Sequence, residues 1–404
     1  MRISPWLLAC VCCLANCATA GAAEALLADG TRVECSLNSV QFGAATGKDK
    51  LVLLGKDGSP VEDALDRLVR WGSPSTPGDR ASMLLVDGSV LATNRPWSAS
   101  GFFEADRETV SLRRREGWVK APRDEVTSIQ YEQHSPQRGA EVTQQEKNVD
   151  TVHLRNGDIL HGEVERIDRN GVDLLAYGEQ IEAARERVAA VHFGSRSTID
   201  RPPAAMVGLV DGSLLHATRF VVEAEEAQIE LGGKLTFTCP IGEIVFVQPL
   251  RQGITYLSDL QVVDYQHTPY FQTSWPLALD SDFEGNLIRC AGVYYAKGVA
   301  MHSASRAVYR LDGNAERFQA ELGIADTSDE MDHRGSVVFG VYLLRGGEFQ
   351  RAYQSEVIRG GQSPTPIDID LAGASAMALV VDYADQADTR DHALWLDARL
   401  VSLP

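Results

Sequence analysis

Four stretches of the chain repeat one arrangement of apolar and polar positions: an alternating segment, an Asp-Gly or Asn-Gly pair, and a second alternating segment. They read ALLADGTRVEC from Ala25, MLLVDGSVLAT from Met83, VHLRNGDILHG from Val152 and VGLVDGSLLHA from Val207. Alternation at period two puts every second side chain on one face of a strand. Asp-Gly and Asn-Gly supply the positive φ of a two-residue turn, so each copy predicts a β-hairpin. The copies also finish alike. DRLVRWG, DEVTSIQYE, ERVAAVHFG and GEIVFVQPL each set a charged residue before a β-branched strand. In the third copy Asn170-Gly171 and Tyr177-Gly178 add further turns. Each repeat is thus read as three to five short strands in a small barrel-like unit, over residues 24–72, 82–132, 151–194 and 206–250. Units of that size are marginal alone and should pack on one another. The linker SPSTPGDR is short and HSPQRGAEVTQQEKN is longer, which predicts repeats docked as two pairs; SRSTIDRPPAA separates the third from the fourth.

From Thr255 the pattern changes. Alternating strands are read at Ala307 to Leu311, Arg317 to Ile324, Ser336 to Leu344, Pro366 to Leu371, Met377 to Tyr383 and Ala393 to Val401. Turns bearing Gly, Asp and Pro join them and no long amphipathic helix intervenes, which predicts an antiparallel β-sandwich over 255–404. The whole chain is therefore all-β. Along the last strand Leu394, Leu396, Ala398 and Leu400 alternate with Trp395, Asp397 and Arg399, so the leucine face is expected to be core. That leaves Trp395 exposed or covering the second sheet.

The 404 residues carry a formal charge of -18 with no run of Lys or Arg, which argues against a nucleic-acid or other polyanion partner. MRISPWLLACVCCLANCATAGAA reads as a signal peptide over 1–23, cut after Ala20 or Ala23. A lipoprotein anchor at Cys17 is the rival, disfavoured by Asn16 where a small residue is usual. No later segment is long and apolar enough to span a bilayer. The protein is thus expected to be secreted or periplasmic. Cys10, Cys12, Cys13 and Cys17 lie in the leader, leaving Cys35, Cys239 and Cys290. Three scattered cysteines make neither a disulfide framework nor a zinc site, and small buried apolar residues is the favoured reading over a Cys35–Cys239 bridge.

Several segments of the last third, in order, carry a resemblance: YLSDLQVVDY, YYAKGVAMHSASRAVYRLDG, ERFQAELGIADT, GSVVFGVYL and DHALWLDARLV. The Lys297-to-Ser303 segment, the Leu-Gly-Ile-x-Asp turn and the Asp391-to-Ala398 close are its specific parts. Over roughly Tyr256 to Val401 the chain resembles the NPCBM family of carbohydrate-binding modules. The resemblance implies a galactose-binding-like sandwich, or jelly roll, of the kind attached to extracellular glycosidases or found in bacterial surface proteins. The amino-terminal repeats carry no comparable resemblance.

Candidate chemistry is weighed on that frame. Asp326-Thr327-Ser328 looks like an aspartic-protease signature, but the chemistry needs a second such carboxylate sharing one proton, and the chain has no second motif. A glycosidase pair could be drawn from any of 56 acidic residues, yet small repeats and a sandwich offer no large cleft. Asp326, Glu330 and Asp332 alternate oxygen ligands as a calcium loop does, without the glycine turn or closing Glu of an EF-hand. The resemblance adds that such sandwiches often hold structural calcium in a loop; no other cofactor is expected. A sugar rim needs an aromatic face for the ring's C–H side and fixed polar groups for its hydroxyls. Tyr265, His267, Tyr270, Phe271, Trp275, Tyr294 and Tyr295 are the candidates. His302 beside Ser303 reads as a buried, hydrogen-bonded histidine, because no nucleophile motif surrounds it.

The expectation is an exported, non-catalytic protein that binds glycans or polysaccharides through its sandwich. The repeats would space or oligomerise it, raising avidity. Alternatives are a surface scaffold that meets other proteins without binding sugar, and an accessory part of a glycoside hydrolase system.

Overall fold

The computed structural model describes residues 21–43, 49–95, 101–131, 149–194, 197–198, 201–223, 225–250, 253–270, 273–326, 335–385 and 387–402. Strands dominate, and the one α-helix among these residues, Ala64–Arg67, is a single turn.

Each repeat opens with a hairpin: Ala23–Leu27 on Arg32–Phe42, Ser82–Leu85 on Val90–Ala92, Asp150–Leu154 on Ile159–Ile167, and Ala205–Leu209 on Leu214–Glu223. The turns are not the two-residue type that the sequence predicts. In all four the leucine N–H bonds the carbonyl four residues on, as Leu27 does Thr31, Leu85 Ser89, Leu154 Asp158 and Leu209 Ser213. That is a three-residue loop in which the glycine takes the left-handed position, φ 82° at Gly30 and 91° at Gly212. The preceding Asp or Asn side chain accepts the N–H two residues later, at Thr31, Ser89, Asp158 and Ser213. Each repeat then closes by returning its last strand to its first, Trp71 opposite Ala25, Ile129 opposite Met83, Val191 opposite Val152 and Val247 opposite Val207.

The repeats do dock in pairs, though not with their chain neighbours throughout. The closing strand of repeat 2 pairs with that of repeat 3, and that of repeat 1 with that of repeat 4. Linker length is a poor guide because the closing-strand edges, once free, are the groups that need partners. The second of these junctions depends on Gly72: its φ is 73°, and a Cβ there would lie 1.9 Å from the Val245 carbonyl. One continuous apolar core, including Leu37, Trp71, Met83, Val152, Phe220 and Val247, runs through all four repeats. Cys35, Cys239 and Cys290 are free and buried, so the Cys35–Cys239 bridge is not formed.

The sandwich has two antiparallel sheets of six strands. The first contains Gly298–His302, His392–Val401, Arg317–Ile324 and Thr365–Asp370 in that order; the second contains Val262–His267, Ser305–Arg310, Ala376–Tyr383, Ser336–Arg345 and Glu348–Gln354. Between them lie Tyr309, Phe318, Phe339, Leu379 and Trp395. The face assignment along the last strand is corrected here. Trp395 is fully buried in the core, its ring 4.9 Å from Phe339 and 6.2 Å from Phe318. A bulge at Asp397, whose φ is 47°, inserts one extra residue, so Ala398 and Leu400 rejoin the tryptophan's face while Leu394 and Leu396 turn outward.

The outward face of that sheet is where the repeats dock. Arg70 Nε donates to Asp397 Oδ2 at 2.8 Å, and Gln248 Nε2 lies 2.8 Å from Tyr256 Oη and 3.1 Å from Asp397 Oδ1. Glu321 pairs with Arg32 and faces Arg70, and Gln319 donates to the Ala28 carbonyl. Met206, Phe246 and Ala296 add an apolar seam. Arg70, Gln248, Glu321 and Asp397 are all buried, so each charge has its counterpart within the interface, as burial of charge requires.

Candidate functional site

Several crossings between the two sheets lie at one end of the sandwich. The strands that end at His267, His302, Ile324 and Tyr383 all finish there, and the final strand starts there at His392. Between them is a pocket of about 530 Å³ lined by Trp275, Phe283, His302 and His392, with Thr273, Asp282, Glu284, Asp326, Asp388 and Arg390 around its edge. None of these side chains belongs to the seam with the repeats described above.

Trp275 is its centre. The indole stacks on the His302 imidazole, 4.8 Å apart and 4° from parallel, and lies 5.1 Å from Phe283 and 5.0 Å from His392. The loop that carries it lacks regular structure, so something else must fix it. Two of the sequence candidates do so: Tyr265 Oη donates to the Trp275 carbonyl at 3.0 Å, and the Trp275 N–H donates to His267 Nδ1 at 3.1 Å. An Nδ1 that accepts is unprotonated, which makes His267 a neutral imidazole with its hydrogen on Nε2. Burial lowers the pKa of His267 in the same sense.

The other imidazoles are also held neutral. His302 is 2% exposed and burial pushes its pKa down, with His267 adding to the effect. His392 falls to about 4, through burial first and then the nearby His302 and Arg390. Beside it Asp391 is fully buried and raised to about 6, chiefly by desolvation, although Oδ1 accepts the Ser336 N–H at 2.8 Å. His302 departs from expectation: it is buried, but its Nδ1 has no protein partner and it lines the pocket. A neutral imidazole offers one donor and one acceptor, which suits hydroxyl groups rather than anions.

The remaining candidates do not share this pocket. Tyr270 is 54% exposed and packs edge-on against Tyr383 at 6.2 Å. Tyr294 lies under Arg289, and its carbonyl accepts from Ser73 Oγ, in the linker just after the first repeat, at 2.8 Å. Tyr295 is buried beneath Arg70, 5.0 Å from its guanidinium, with its hydroxyl 3.4 Å from Glu321. Both are therefore docking residues, because the Ile288–Cys290/Val293–Tyr295 hairpin folds over the outer face of the first sheet. Phe271, Glu330 and Asp332 lie outside the described residues. The Asp326 carboxylate accepts the Ala291 and Gly292 N–H groups at 2.8 Å each and faces Arg289, which commits it to closing that hairpin's turn. No cluster of metal-ligating side chains occurs among the described residues. Phe283, Asp388, Arg390 and His392 escaped the sequence reading. Asp388, Arg390 and His392 share a signal of position, the segment that enters the final strand at this end, whereas Phe283 lies in the loop between Ala278–Leu279 and Ile288–Cys290.

Among known proteins, the family model described as NPCBM/NEW2 domain matches residues 253–401. A Renibacterium salmoninarum protein named for an endo-alpha-N-acetylgalactosaminidase is 28% identical over 154 residues, which is 36% of this chain and 9% of that protein. Among solved structures, the CBM51 module of a Clostridium perfringens GH95 protein, in complex with methyl-galactose, is 25% identical. It covers 36% of this chain and 99% of its own, with a TM-score of 0.32. A second Clostridium perfringens structure, a CBM51 module with GlcNAc and INT domains, is 26% identical over 46% of this chain and 37% of its own, with a TM-score of 0.33. Residues 253–401 of this chain are an NPCBM/NEW2 domain.

Proposed function

We propose that the protein is an exported, non-catalytic carbohydrate-binding protein whose sandwich holds one ring of a glycan in the loop-end pocket. The observation that carries this reading is the clamped Trp275: an indole fixed through both its backbone N–H and its carbonyl, beside His302 and His392. An apolar aromatic surface suits the C–H side of a pyranose, and neutral imidazoles suit its hydroxyls. The docked repeats act as a rigid scaffold that leaves this end of the sandwich open.

The test is titration of the full chain with methyl galactoside and with GlcNAc, the sugars held by the two Clostridium perfringens modules, beside a glycan array. Trp275→Ala should lower affinity about tenfold or more while the melting curve stays cooperative. Failure of the wild-type chain to bind any array glycan, or unchanged binding by Trp275→Ala, rejects the reading. Turnover of labelled glycans by the full chain would reject its non-catalytic part.

A further inference from the structure

The pocket has a neighbour that a single sugar would not use. Among the described residues of the sandwich, three aromatic side chains are substantially exposed: Tyr270, Phe349 and Tyr383. Two of them meet, with Tyr270 and Tyr383 at 6.2 Å and an interplanar angle of 81°. Phe349 belongs to the edge strand Glu348–Gln354, apart from them.

Their place in the fold ties this pair to the pocket. Tyr270 follows His267 by three residues and precedes Trp275 by five; Thr268 N bonds the Ala304 carbonyl, next to His302 and Ser303. Tyr383 ends its strand five residues before Asp388, which lines the pocket. Five residues span at most about 17 Å, so each tyrosine is tied by its own segment to a residue of the pocket no farther away than that. The two segments that build the pocket wall therefore each also carry one member of an exposed aromatic pair. Exposure of apolar rings in water has a cost that a solvated loop would normally avoid with polar residues.

Charge narrows the ligand. Asp382, Asp385 and Asp388 flank Tyr383 in the chain, and Arg359 pairs with Asp385, leaving this rim acidic. With a chain charge of -18, sulfated or uronate-rich glycans would be repelled. We propose that Tyr270 and Tyr383 form an outer subsite that stacks the second ring of a neutral oligosaccharide whose end ring lies at Trp275.

This inference rests on the sugar-binding reading above, and the experiment separates their failures. Wild-type full-length protein is titrated with methyl β-galactoside, lactose, N-acetyllactosamine, α-galactosyl-(1→3)-galactose and an unsaturated chondroitin sulfate disaccharide. At least one neutral disaccharide should bind about three- to tenfold more tightly than the monosaccharide, the range expected of one aromatic stack. Tyr270→Ala and Tyr383→Ala should remove that increment and leave methyl β-galactoside affinity unchanged; Tyr270→Phe and Tyr383→Phe should keep it. Monosaccharide binding with no gain from any neutral disaccharide overturns the outer subsite alone, as does a gain that survives both alanine variants, or tighter binding of the sulfated disaccharide. Loss of all binding in the wild-type chain overturns both proposals. Both tyrosines are exposed, so unchanged thermal unfolding of the variants is the control for folding.

Discussion

Asp391 is buried and its neighbour His392 half-buried, and their pKa values are displaced in opposite senses, which makes a measurable prediction about stability and pH. His392 titrates near 4 in the folded chain against an ordinary 6.5, so between those values the unfolded chain binds the extra proton and stability falls as pH falls. Full loss, below pH 4, amounts to about 3 kcal/mol at 1.4 kcal/mol per pH unit. Asp391 titrates near 6 against an ordinary 3.8, so over that window the folded chain binds the extra proton and stability falls as pH rises. Its full loss, above pH 6, is also about 3 kcal/mol. Between pH 4 and 6 the two slopes cancel. The assay is urea unfolding from pH 3.5 to 7.5 of the wild type, His392→Phe and Asp391→Asn, taken as differences from wild type so that surface carboxylates drop out. The phenylalanine has room among Trp275 and Phe283, and the asparagine retains an oxygen for the Ser336 N–H. His392→Phe should gain on wild type as pH falls from 6.5 to 4; Asp391→Asn should gain as pH rises from 3.8 to 6. Difference curves flat to within about 0.5 kcal/mol would refute the assignment of these groups as desolvated and counterposed.

Other perturbations address the docking face and the thiols. Asp397→Asn keeps a residue that tolerates the left-handed backbone but leaves Arg70 with only the more distant Glu321; it should cost about 2 to 4 kcal/mol and lower the melting temperature by roughly 5 to 10 °C in a thermal scan. Gly72→Ala should prevent recovery of folded protein, whereas Gly58→Ala, at φ 80° with nothing within 4 Å, should cost only about 1 to 2 kcal/mol. Tyr295→Phe should leave sugar affinity unchanged and weaken thermal stability, since its hydroxyl faces Glu321 and not the pocket. Cys35, Cys239 and Cys290, with thiols pushed up to about 11, 12 and 12 by burial, should resist iodoacetamide at pH 8 in the native chain and react in urea, read by peptide mass.

What the sequence exposed and what it hid have physical causes. The four hairpins were legible because a period-two pattern and a glycine in the left-handed region are local requirements. The turn length was not, because the glycine that closes a three-residue bulged loop is the same glycine that a two-residue turn would use. The leucine face was misread for a related reason: Leu394, Leu396, Ala398 and Leu400 were counted onto one face by unbroken alternation, and one bulge at Asp397 puts the last two on the face opposite the first two. Tyr265, His267 and Trp275 were gathered by proximity in the chain. His302 and His392 join them only because strands nearly a hundred residues apart pair side by side, His302 opposite His392. That register is a tertiary fact with no local sequence mark.

The same register explains how a crowded molecule keeps its pocket open. On the last strand, His392 at the start contributes to the pocket and Asp397 with Arg399 near the end contribute to the docking face. The bulge at Asp397 turns that carboxylate toward Arg70 while leaving Trp395 in the core, so a single strand serves both regions without exposing its apolar side. Had the alternation continued unbroken past Leu396, Ala398 and Leu400 would have faced the repeats and the charged residues would have entered the sandwich. The polar seam therefore depends on one residue in the left-handed conformation, and the orientation of the pocket relative to the repeats depends on that seam.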